Sequence, residues 1–444
     1  MSGSTRISQA NTSLLHQPWF LFAVMAALLA FTGFAQSWLF ALTIVQLCMI
    51  SAIMALGVNV QWGYAGLFNA GTMGFAALGG VAAILVAADP VPEAWSAGGA
   101  GIGLSALIIG ATIAAVIVVR AKLDGLVRLI ATALVLIIGY LLFTRYFGPA
   151  TSAIEAVNPS RTGYLGGMGI SILFGWLVGG LLAAGAAWII GKIAIGLRSD
   201  YLAIATLGIA EIILAVIKNE DWLTRGVKNV TGLPRPVPYE VDLQTDPAFI
   251  SLAQNLGMEP IALSSIAVKL AYISLFAIVL IALVYLSEKA LYSPWGRMMR
   301  AIRDRPAAPE AMGKDVKRRH LQVFVLGSAI CGIAGAMLVT LDGQFTPGSY
   351  QPLRFTFLIW VMVIVGGSGN NMGSVLGGFL IWFVWIQSES AGFALMDGLS
   401  SLLAEDSPMR GNLTEAAPHL RPVLMGLILI LALRFAPRGL IPER

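Results

Sequence analysis

The stretch RAIRDRPAAPEAMGKDVKRRH (residues 300–320) lies between two apolar runs, 266–287 and 320–341. Each run has about 20 residues, the length that an α-helix needs to cross the hydrocarbon core of a bilayer. The segment 296–320 carries eight basic residues: Arg297, Arg300, Arg303, Arg305, Lys314, Lys317, Arg318 and Arg319. This alternation indicates membrane spans joined by a cationic loop that lies outside the lipid.

The composition extends this interpretation to the whole chain. Its 444 residues are 57% hydrophobic and 11% charged, whereas a soluble domain has about 25% charged residues. Because no alternating barrel pattern occurs and helices satisfy their own backbone hydrogen bonds in lipid, we predict an all-α, polytopic integral membrane protein with about 10 transmembrane helices. The predicted spans are 19–35, 39–58, 66–88, 101–119, 125–147, 168–190, 201–218, 266–287, 320–341 and 421–435.

An eleventh apolar region, 355–387, is interrupted by GGSGNNMG (366–373). Its first half, of about 11 residues, is too short for an ordinary span. We therefore predict a split pair of two short helices, joined by a glycine turn and leaving on the side where they entered. Broken helices often border the solute pathways of transporters, and a tight turn at the inner surface is the alternative. The candidate pathway residues here are Gly366, Gly367, Gly369 and Asn370.

Loop charge predicts the orientation. The segments 219–265 and 388–420 are acidic, whereas 296–320 is strongly basic. The positive-inside rule places the basic loops in the cytoplasm, so we expect both termini inside, with 1–18 as a cytoplasmic tail. The expected location is a bacterial cytoplasmic (inner) membrane. The basic residues cluster beside spans, which fits contact with membrane lipid and requires no nucleic acid.

The residue types needed for catalysis are scarce. None of the three histidines pairs with a carboxylate at ligand spacing, and no metal-binding, nucleophile or nucleotide-loop motif occurs. Cys48 and Cys331 lie in apolar runs, where small buried side chains are expected. We predict a protein that is not an enzyme and binds no metal and no cofactor itself.

The segment 300–320 also contains helix signals. Asp304 is a candidate N-cap, Pro306 fits a first turn, and Gly313 is a natural C-terminal stop. These signals predict about two turns of helix with small residues on its surface, flanked by cations. Docking against another protein and contact with anionic lipid headgroups are both compatible with this composition.

Four blocks of sequence carry a family resemblance. SPWGRMMRAIRDRPAAPEAMGKDVKRRHLQVFVLGSAICGIAGAML (293–338) resembles M-type permease subunits of branched-chain amino acid ABC importers. Further similar blocks are GYAGLFNAGTMGFAALGG (63–80), YLAIATLGIAEIILAVIKNEDWLTRGVKNVTGLP (201–234) and VMVIVGGSGNNMGSVLGG (361–378). Together they cover most of the chain from residue 40 in the family's order.

The resemblance implies that 304–313 is a coupling helix that docks in a groove of an ATP-binding subunit. The residues implied in coupling are Arg303, Asp304, Ala307, Ala308, Glu310, Ala311 and Gly313. It also implies a homologous H-type permease, two cytoplasmic subunits that bind ATP and Mg²⁺, and an extracytoplasmic solute-binding protein. Residues 19–444 are expected to form a single permease domain, in which extra spans over 101–147 have a peripheral structural role.

Three more residues are candidates for the translocation path. Glu211 lies mid-span, where an acid is costly and usually faces the protein interior; a structural hydrogen bond or ion pair is the alternative. Asn69 and Thr72 lie in a Gly-rich stretch, where close helix packing is equally compatible. The segment 219–234 is a candidate contact for a solute-binding protein, or an ordinary solvated loop.

The predicted function is that of a permease subunit of an ABC importer for branched-chain or hydrophobic amino acids, or related small polar solutes. One alternative is a secondary transporter or channel working alone, which needs intramembrane charges and has Glu211 as nearly its only candidate. A membrane scaffold is a third class. The sequence does not choose among branched-chain amino acids, other amino acids, amides and urea.

Overall fold

The computed structural model describes residues 17–160, 162–401 and 419–443, which are predominantly α-helical. The predicted all-α membrane architecture is confirmed. In this part of the chain the sheet is one antiparallel ribbon, in which Val230 of β1 (Val230–Thr231) pairs with Phe345 of β2 (Gln344–Phe345). Most of the predicted tail 1–18, and part of the acidic segment 388–420, lie outside the described residues.

The helices are α1 (Pro18–Ala35), α2 (Trp38–Ala65), α3 (Thr72–Ala87), α4 (Pro92–Ala94), α5 (Ala100–Lys122), α6 (Gly125–Ala156), α7 (Ile172–Ala194), α8 (Ser199–Asn219), α9 (Asp221–Thr224), α10 (Glu240–Thr245), α11 (Pro247–Asn255), α12 (Pro260–Tyr292), α13 (Pro294–Asp304), α14 (Ala307–Ala311), α15 (Val316–Asp342), α16 (Pro352–Gly366), α17 (Asn371–Ser401) and α18 (Leu420–Phe435). A π-helical turn, Trp95–Gly99, joins α4 to α5. Among the described helices, nine are long and apolar enough to cross a membrane, and α3 and α16 are shorter apolar helices.

Two predicted segments differ from the structure. The predicted span 66–88 begins too early, because Gly66, at φ +69°, ends α2 and residues 66–71 form a loop before α3. The acidic segment 219–265, for which no helix was predicted, contains the short helices α9, α10 and α11. Both differences arise where small and polar residues interrupt the apolar pattern that defines spans.

The split pair is confirmed in outline and corrected in length. Residues 367–370 separate α16 from α17, and the two helices run in opposite directions, so the chain leaves on the side where it entered. The second helix is not short, because α17 has 31 residues. The apolar run predicted only its first part, and α17 continues through polar residues beyond 387.

The long helices alternate in direction, which divides the loops into two groups. We call one end the basic end; it comprises 66–71, 123–124, 195–198, 293–315, 367–370 and 436–443. The opposite end comprises 88–91, 157–171, 220–259 and 343–351. The helix connectivity therefore brings the predicted coupling segment (296–320) and the glycine turn (367–370) to the same end of the molecule.

The centre of the bundle is formed by α2, α3, α7 and α15, with α16 and α17 packed on α2. Glycines allow the backbones to approach closely at the crossings. A Cβ atom on Gly79 would lie 1.8 Å from the carbonyl oxygen of Gly332, and one on Gly335 would lie 1.9 Å from that of Ala76. Small residues at helix crossings are the usual means of association in lipid, where dispersion contacts and not water exclusion hold helices together.

The extra spans form a peripheral hairpin of α5 and α6. The two helices pack on each other, and most of their large apolar side chains are exposed. The hairpin meets the remaining helices near the opposite end, where Ile154 packs with Ala94 and Leu165. The position agrees with the predicted periphery, and the role of the hairpin stays a prediction.

Candidate functional site

The predicted coupling segment begins within α13, which packs against the bundle. The Ser293 hydroxyl accepts a hydrogen bond from the Gly296 N–H at 3.3 Å and caps this helix, and Met299 and Ile302 are fully buried. The prediction that Asp304 caps the following helix is wrong. Asp304 is still the last residue of α13, so its backbone is helical, and its carboxylate accepts from Arg303 Nε at 3.1 Å.

The predicted short helix is present as α14 at the basic end, but it has five residues and is shorter than the predicted two turns. Pro306 precedes it, and Gly313, at φ +74°, follows its last turn, as predicted for the stop. Pro309 is the buried residue of this helix. The residues exposed around it include the predicted Ala307, Ala308, Glu310, Ala311 and Gly313, together with the large apolar Met312. The result is a small-residue projection fixed by one buried proline, a shape suited to close docking in a groove.

Arg303, predicted as a coupling residue, points toward the bundle. Its side chain is 23% exposed, and Nη1 lies 2.9 Å from Glu443 Oε2 and donates to the carbonyl oxygen of Gly63. Burial opposes the charge, but hydrogen bonds to Glu443 and Asp304 raise the pKa of Arg303 above its ordinary value. Arg303 thus connects the coupling segment with the end of α2 and with residue 443.

Residues 438–443, which we call the strap, run across the glycine turn. The Leu440 N–H donates to the carbonyl oxygen of Val365 at 2.9 Å, and the Ile441 N–H donates to that of Gly366 at 3.0 Å. The Asn370 side-chain amide donates to the Pro442 carbonyl at 3.2 Å. The strap, and through it Arg303, therefore holds the turn between α16 and α17 by backbone contacts.

Gly367 and Gly369 are required by this close approach. Both have positive φ, +120° and +86°. A Cβ on Gly367 would lie 2.2 Å from the Ile441 carbonyl oxygen, and one on Gly369 would lie 2.7 Å from Glu443 Oε2 and 3.2 Å from Arg303 Nη1. The turn thus lies at the basic end, which matches the alternative of a tight turn at that surface. That it borders a solute path stays a prediction.

A buried network of polar side chains supports the turn from inside. The Tyr64 hydroxyl donates to Asn371 Oδ1 at 2.6 Å, and the Asn59 amide donates to the same oxygen at 3.1 Å. Asn59 Oδ1 accepts from the Gly369 N–H at 2.8 Å, and Asn371 Nδ2 donates to Glu288 at 3.0 Å. Sequence reasoning missed Asn59, Tyr64 and Glu288 as site residues. The signal that could have found Asn59 and Tyr64 is polar residues within the apolar run ALGVNVQWGY (55–64), whereas Glu288 lies near the end of α12.

Asn69 and Thr72, predicted for the path, are fully buried in the bundle. The Asn69 amide donates to Gln61 Oε1 at 2.9 Å, and its Oδ1 accepts from the Gly71 N–H at 2.9 Å. The Asn69 carbonyl accepts from Trp360 Nε1 at 3.1 Å. These contacts fold the loop 66–71 onto α16, and the role of both residues in a path stays a prediction.

Glu211 lies near the middle of α8 and is exposed. It forms no hydrogen bond or ion pair with any residue that the structure describes, so the structural partner considered as its alternative role is not found there. Large apolar side chains, Ile204, Ile212 and Val216, are exposed on the same helix. A carboxylate on an apolar membrane face is costly, which favours a second protein surface or water beside this face.

The two cysteines are buried and free, as expected for small core residues, and Cys48 Sγ donates to the Phe379 carbonyl at 3.4 Å. Within residues 17–160, 162–401 and 419–443, no three His, Cys, Asp or Glu side chains come together to hold a metal ion. That the chain binds no cofactor stays a prediction.

Comparison with known proteins identifies a family, and the match covers some of the segments described above. A family model described as the permease component of branched-chain amino acid transport systems matches residues 160–433. This range includes the coupling segment and the glycine turn, whereas the α5–α6 hairpin and the strap lie outside it. No solved structure matches the chain.

Individual proteins with related descriptions also match the chain. The chain is 28% identical, over 213 residues, to the high-affinity branched-chain amino acid transport permease protein LivM of Escherichia coli K12; the match covers 46% of this chain and 48% of that protein. It is 27% identical over 299 residues to a probable LivM of Methanocaldococcus jannaschii, covering 66% of this chain and 74% of that protein. A probable LivH of the same archaeon is 28% identical over 110 residues, 25% of this chain and 34% of that protein. The chain therefore spans about half the length of the Escherichia coli relative it matches.

Proposed function

The chain belongs to the family of permease components of branched-chain amino acid transport systems, and on that premise we propose that it is a permease subunit of an ATP-driven importer. Its solutes are branched-chain or hydrophobic amino acids, or related small polar solutes. The chain supplies about half of the translocation path, and a homologous H-type permease supplies the other half. It catalyses no reaction itself, because ATP and Mg²⁺ bind to two cytoplasmic partner subunits.

The observation that carries this proposal is the construction of the coupling segment. The exposed helix α14 projects from the bundle on one buried proline, and α13 joins it to Arg303. Arg303 in turn reaches Gly63 at the end of α2 and Glu443 of the strap, which lies on the glycine turn. Movement of α14 by a docked ATPase would thus be transmitted to α2, α16 and α17 through polar contacts. A passive lipid-contact loop does not need such a connection.

The exposed face of α8 supports a second permease subunit. Glu211 stands there among exposed apolar residues without a partner in the described part of the chain. A homologous subunit packed beside this face would remove the apolar side chains from lipid and leave the acid at a path between two proteins. We assign Glu211 to that path on this ground.

The proposed location is a bacterial inner membrane with the basic end in the cytoplasm. The lysines and arginines of 296–320 lie at this end, together with the strap, and the positive-inside rule favours that orientation. Both termini would then be cytoplasmic. The opposite end, with segment 219–234, would face an extracytoplasmic solute-binding protein.

The test is uptake of labelled leucine, other amino acids, amides and urea in a strain that lacks the gene, with the gene restored. Uptake by the restored strain should require ATP and should survive removal of the proton gradient alone. Ala311→Arg should lower uptake roughly tenfold or more, because it places a long charged side chain in a close-packed docking surface. The variant should reach the membrane in normal amount, since Ala311 is exposed.

The matched control is Ala248→Arg, the same change at an exposed position of α11 at the opposite end. It should leave uptake within about twofold of the wild type. Equal effects of the two variants would contradict the coupling role of α14. Uptake that follows the proton gradient would instead favour a stand-alone secondary transporter, and Glu211→Gln would then abolish it.

A further inference from the structure

A cavity of about 200 Å³ lies among α2, α3, α15, α16 and α17. Its lining is mainly apolar and includes Met54, Met73, Ile359 and Met362, all of which are buried. The volume is below the roughly 300–1,000 Å³ of pockets for drug-sized ligands. It therefore suits a small apolar group, such as the side chain of one amino acid.

The polar side chains that line this cavity form no hydrogen bond or ion pair with the residues that the structure describes, and two of them lie toward the opposite end. Asp342, the last residue of α15, lines the cavity together with Ser349, and both are exposed. The Asp342 carboxylate makes no ion pair and no hydrogen bond with any residue in the described ranges. Ser51, 5% exposed, lines the deeper part, and its hydroxyl likewise bonds to no described residue.

Two buried hydrogen-bonding groups, one in the cavity lining and one beside it in the sequence, also have no partner among the described residues. The indole of Trp382 lines the cavity, and its Nε1 has no acceptor among the described residues. The hydroxyl of Tyr350, which follows Ser349, is buried without a partner there, and burial together with the Asp342 carboxylate raises the pKa of this tyrosine. Buried polar groups are nearly always bonded in proteins, so unpaired groups gathered at one cavity point to a ligand.

We infer that this cavity within the single chain is a solute site, in which Asp342 binds the ammonium group of an aliphatic amino acid and the methionine-lined interior receives its side chain. The inference rests on the proposed function, which it deepens by naming the recognised groups. It places a solute site inside one subunit, separate from the α8 face that carries Glu211. The ammonium is the required group, because the carboxylate is the charged group in the cavity lining.

The ligand chemistry follows from the partners available. An ammonium placed at Asp342 forms a charge-assisted hydrogen bond, which is stronger than a neutral one. The aliphatic chain gains free energy by leaving water for the apolar lining. The solute carboxylate can accept from the donors of Ser51 and Trp382, both of which line the cavity. A solute without the ammonium leaves Asp342 unpaired and is disfavoured.

The experiment measures binding of labelled leucine, at concentrations up to millimolar, to the purified full-length chain in lipid nanodiscs. Two competitors separate the groups: 3-methylbutylamine lacks the carboxylate of leucine, and 4-methylpentanoate lacks its ammonium. The expected order of affinity is leucine, then the amine, with the acid weakest. Asp342→Asn should lower the affinity for leucine and for the amine about tenfold or more, since a hydrogen bond to a charged group is lost. The same change should alter the affinity for the acid less than twofold.

A second variant tests the interior, and a third is the control. Ser51→Leu places a larger side chain in the cavity and should also weaken the binding of leucine about tenfold. This loss should not depend on whether the compound carries an ammonium group. Asp124→Asn removes a fully exposed acid at the basic end and should leave the affinities for all three compounds unchanged. Asp342→Asn should keep the wild-type melting temperature, because Asp342 has no partner to lose in the described structure.

The inference is overturned if wild-type chain binds none of the three compounds, if 4-methylpentanoate competes as well as leucine, or if Asp342→Asn and Ser51→Leu both bind leucine normally. Retention of lipid or detergent alone in the cavity would also overturn it. The proposed function would be judged separately, by ATP-dependent uptake and by Ala311→Arg, neither of which depends on this binding measurement.

Discussion

Two clusters of polar side chains, one at the basic end and one around the cavity near the opposite end, differ in whether their members are paired. At the basic end, Asn59, Tyr64 and Asn371 bond to one another, and Arg303 pairs with Glu443. Around the cavity near the opposite end, Asp342 and Trp382 Nε1 bond to no described residue. A satisfied network fixes one arrangement of helices, whereas unpaired groups retain a cost that a bound solute can remove. On the proposals made above, the first region transmits movement of the coupling segment and the second binds a solute.

The largest effect should come from Gly367→Val in the basic end. A valine there needs a positive φ, which β-branched residues rarely adopt, and its Cβ would lie 2.2 Å from the Ile441 carbonyl oxygen. We expect a loss of about 3 kcal/mol or more of unfolding free energy, and a much lower melting temperature in detergent. Gly110→Val is the control, because a Cβ at Gly110 meets nothing within 4 Å. If both variants melt alike, the strap does not constrain the turn.

A smaller effect is expected from Asn371→Leu. This change removes the acceptor shared by Tyr64 and Asn59 and the donor to Glu288. The buried Asn59 amide would lose this acceptor and Tyr64 would keep only the Ser287 carbonyl, so the change should cost about 1–3 kcal/mol. Trp382→Phe sharpens the comparison, since it deletes a donor that already lacks a partner and should change the unfolding free energy by less than about 0.5 kcal/mol. Thermal melts of the two variants measure the contrast, and similar losses would refute it.

The smallest effect on stability should come from Glu443→Gln. The pair with Arg303 is partly exposed, so its loss should cost under about 1 kcal/mol. Its effect on uptake should be larger, a fall of roughly threefold to tenfold at equal membrane amounts, because the coupling segment loses its charged contact with the strap. Glu240→Gln breaks a pair of similar distance at the opposite end, Arg235 with Glu240 at 3.0 Å, and should leave uptake unchanged. Equal uptake by both variants would exclude transmission through Glu443.

Much of the fold was predictable from the sequence. Spans, the split of 355–387 and the short helix ending at Gly313 follow from the length of apolar runs and from local glycine and proline chemistry, all of which act between near neighbours in the chain. The errors occurred where a local rule met a competing contact. Asp304 was predicted as a cap, yet α13 continues through it because Met299 and Ile302 bury that helix.

The candidate site was less predictable. The sequence offered Arg303, Gly367 and Gly369 as separate candidates, and the structure places Arg303 beside Gly369 through Glu443. Asn69 was a candidate for its type and position, and in the structure its side chain folds a loop. The residue type shows that a side chain can form a hydrogen bond or an ion pair, but it does not show with which partner.

The sequence by itself determined the membrane class, the approximate spans, the charged segment between them and the family resemblance. These properties depend on hydropathy and on the order of residues along the chain. Only the tertiary structure decided that Asn59 meets Asn371, 312 positions away, while Asp342 meets no partner in the described chain. Pairing of this kind depends on how helices cross and on which faces they bury, and those distances through space are set by packing of the whole bundle.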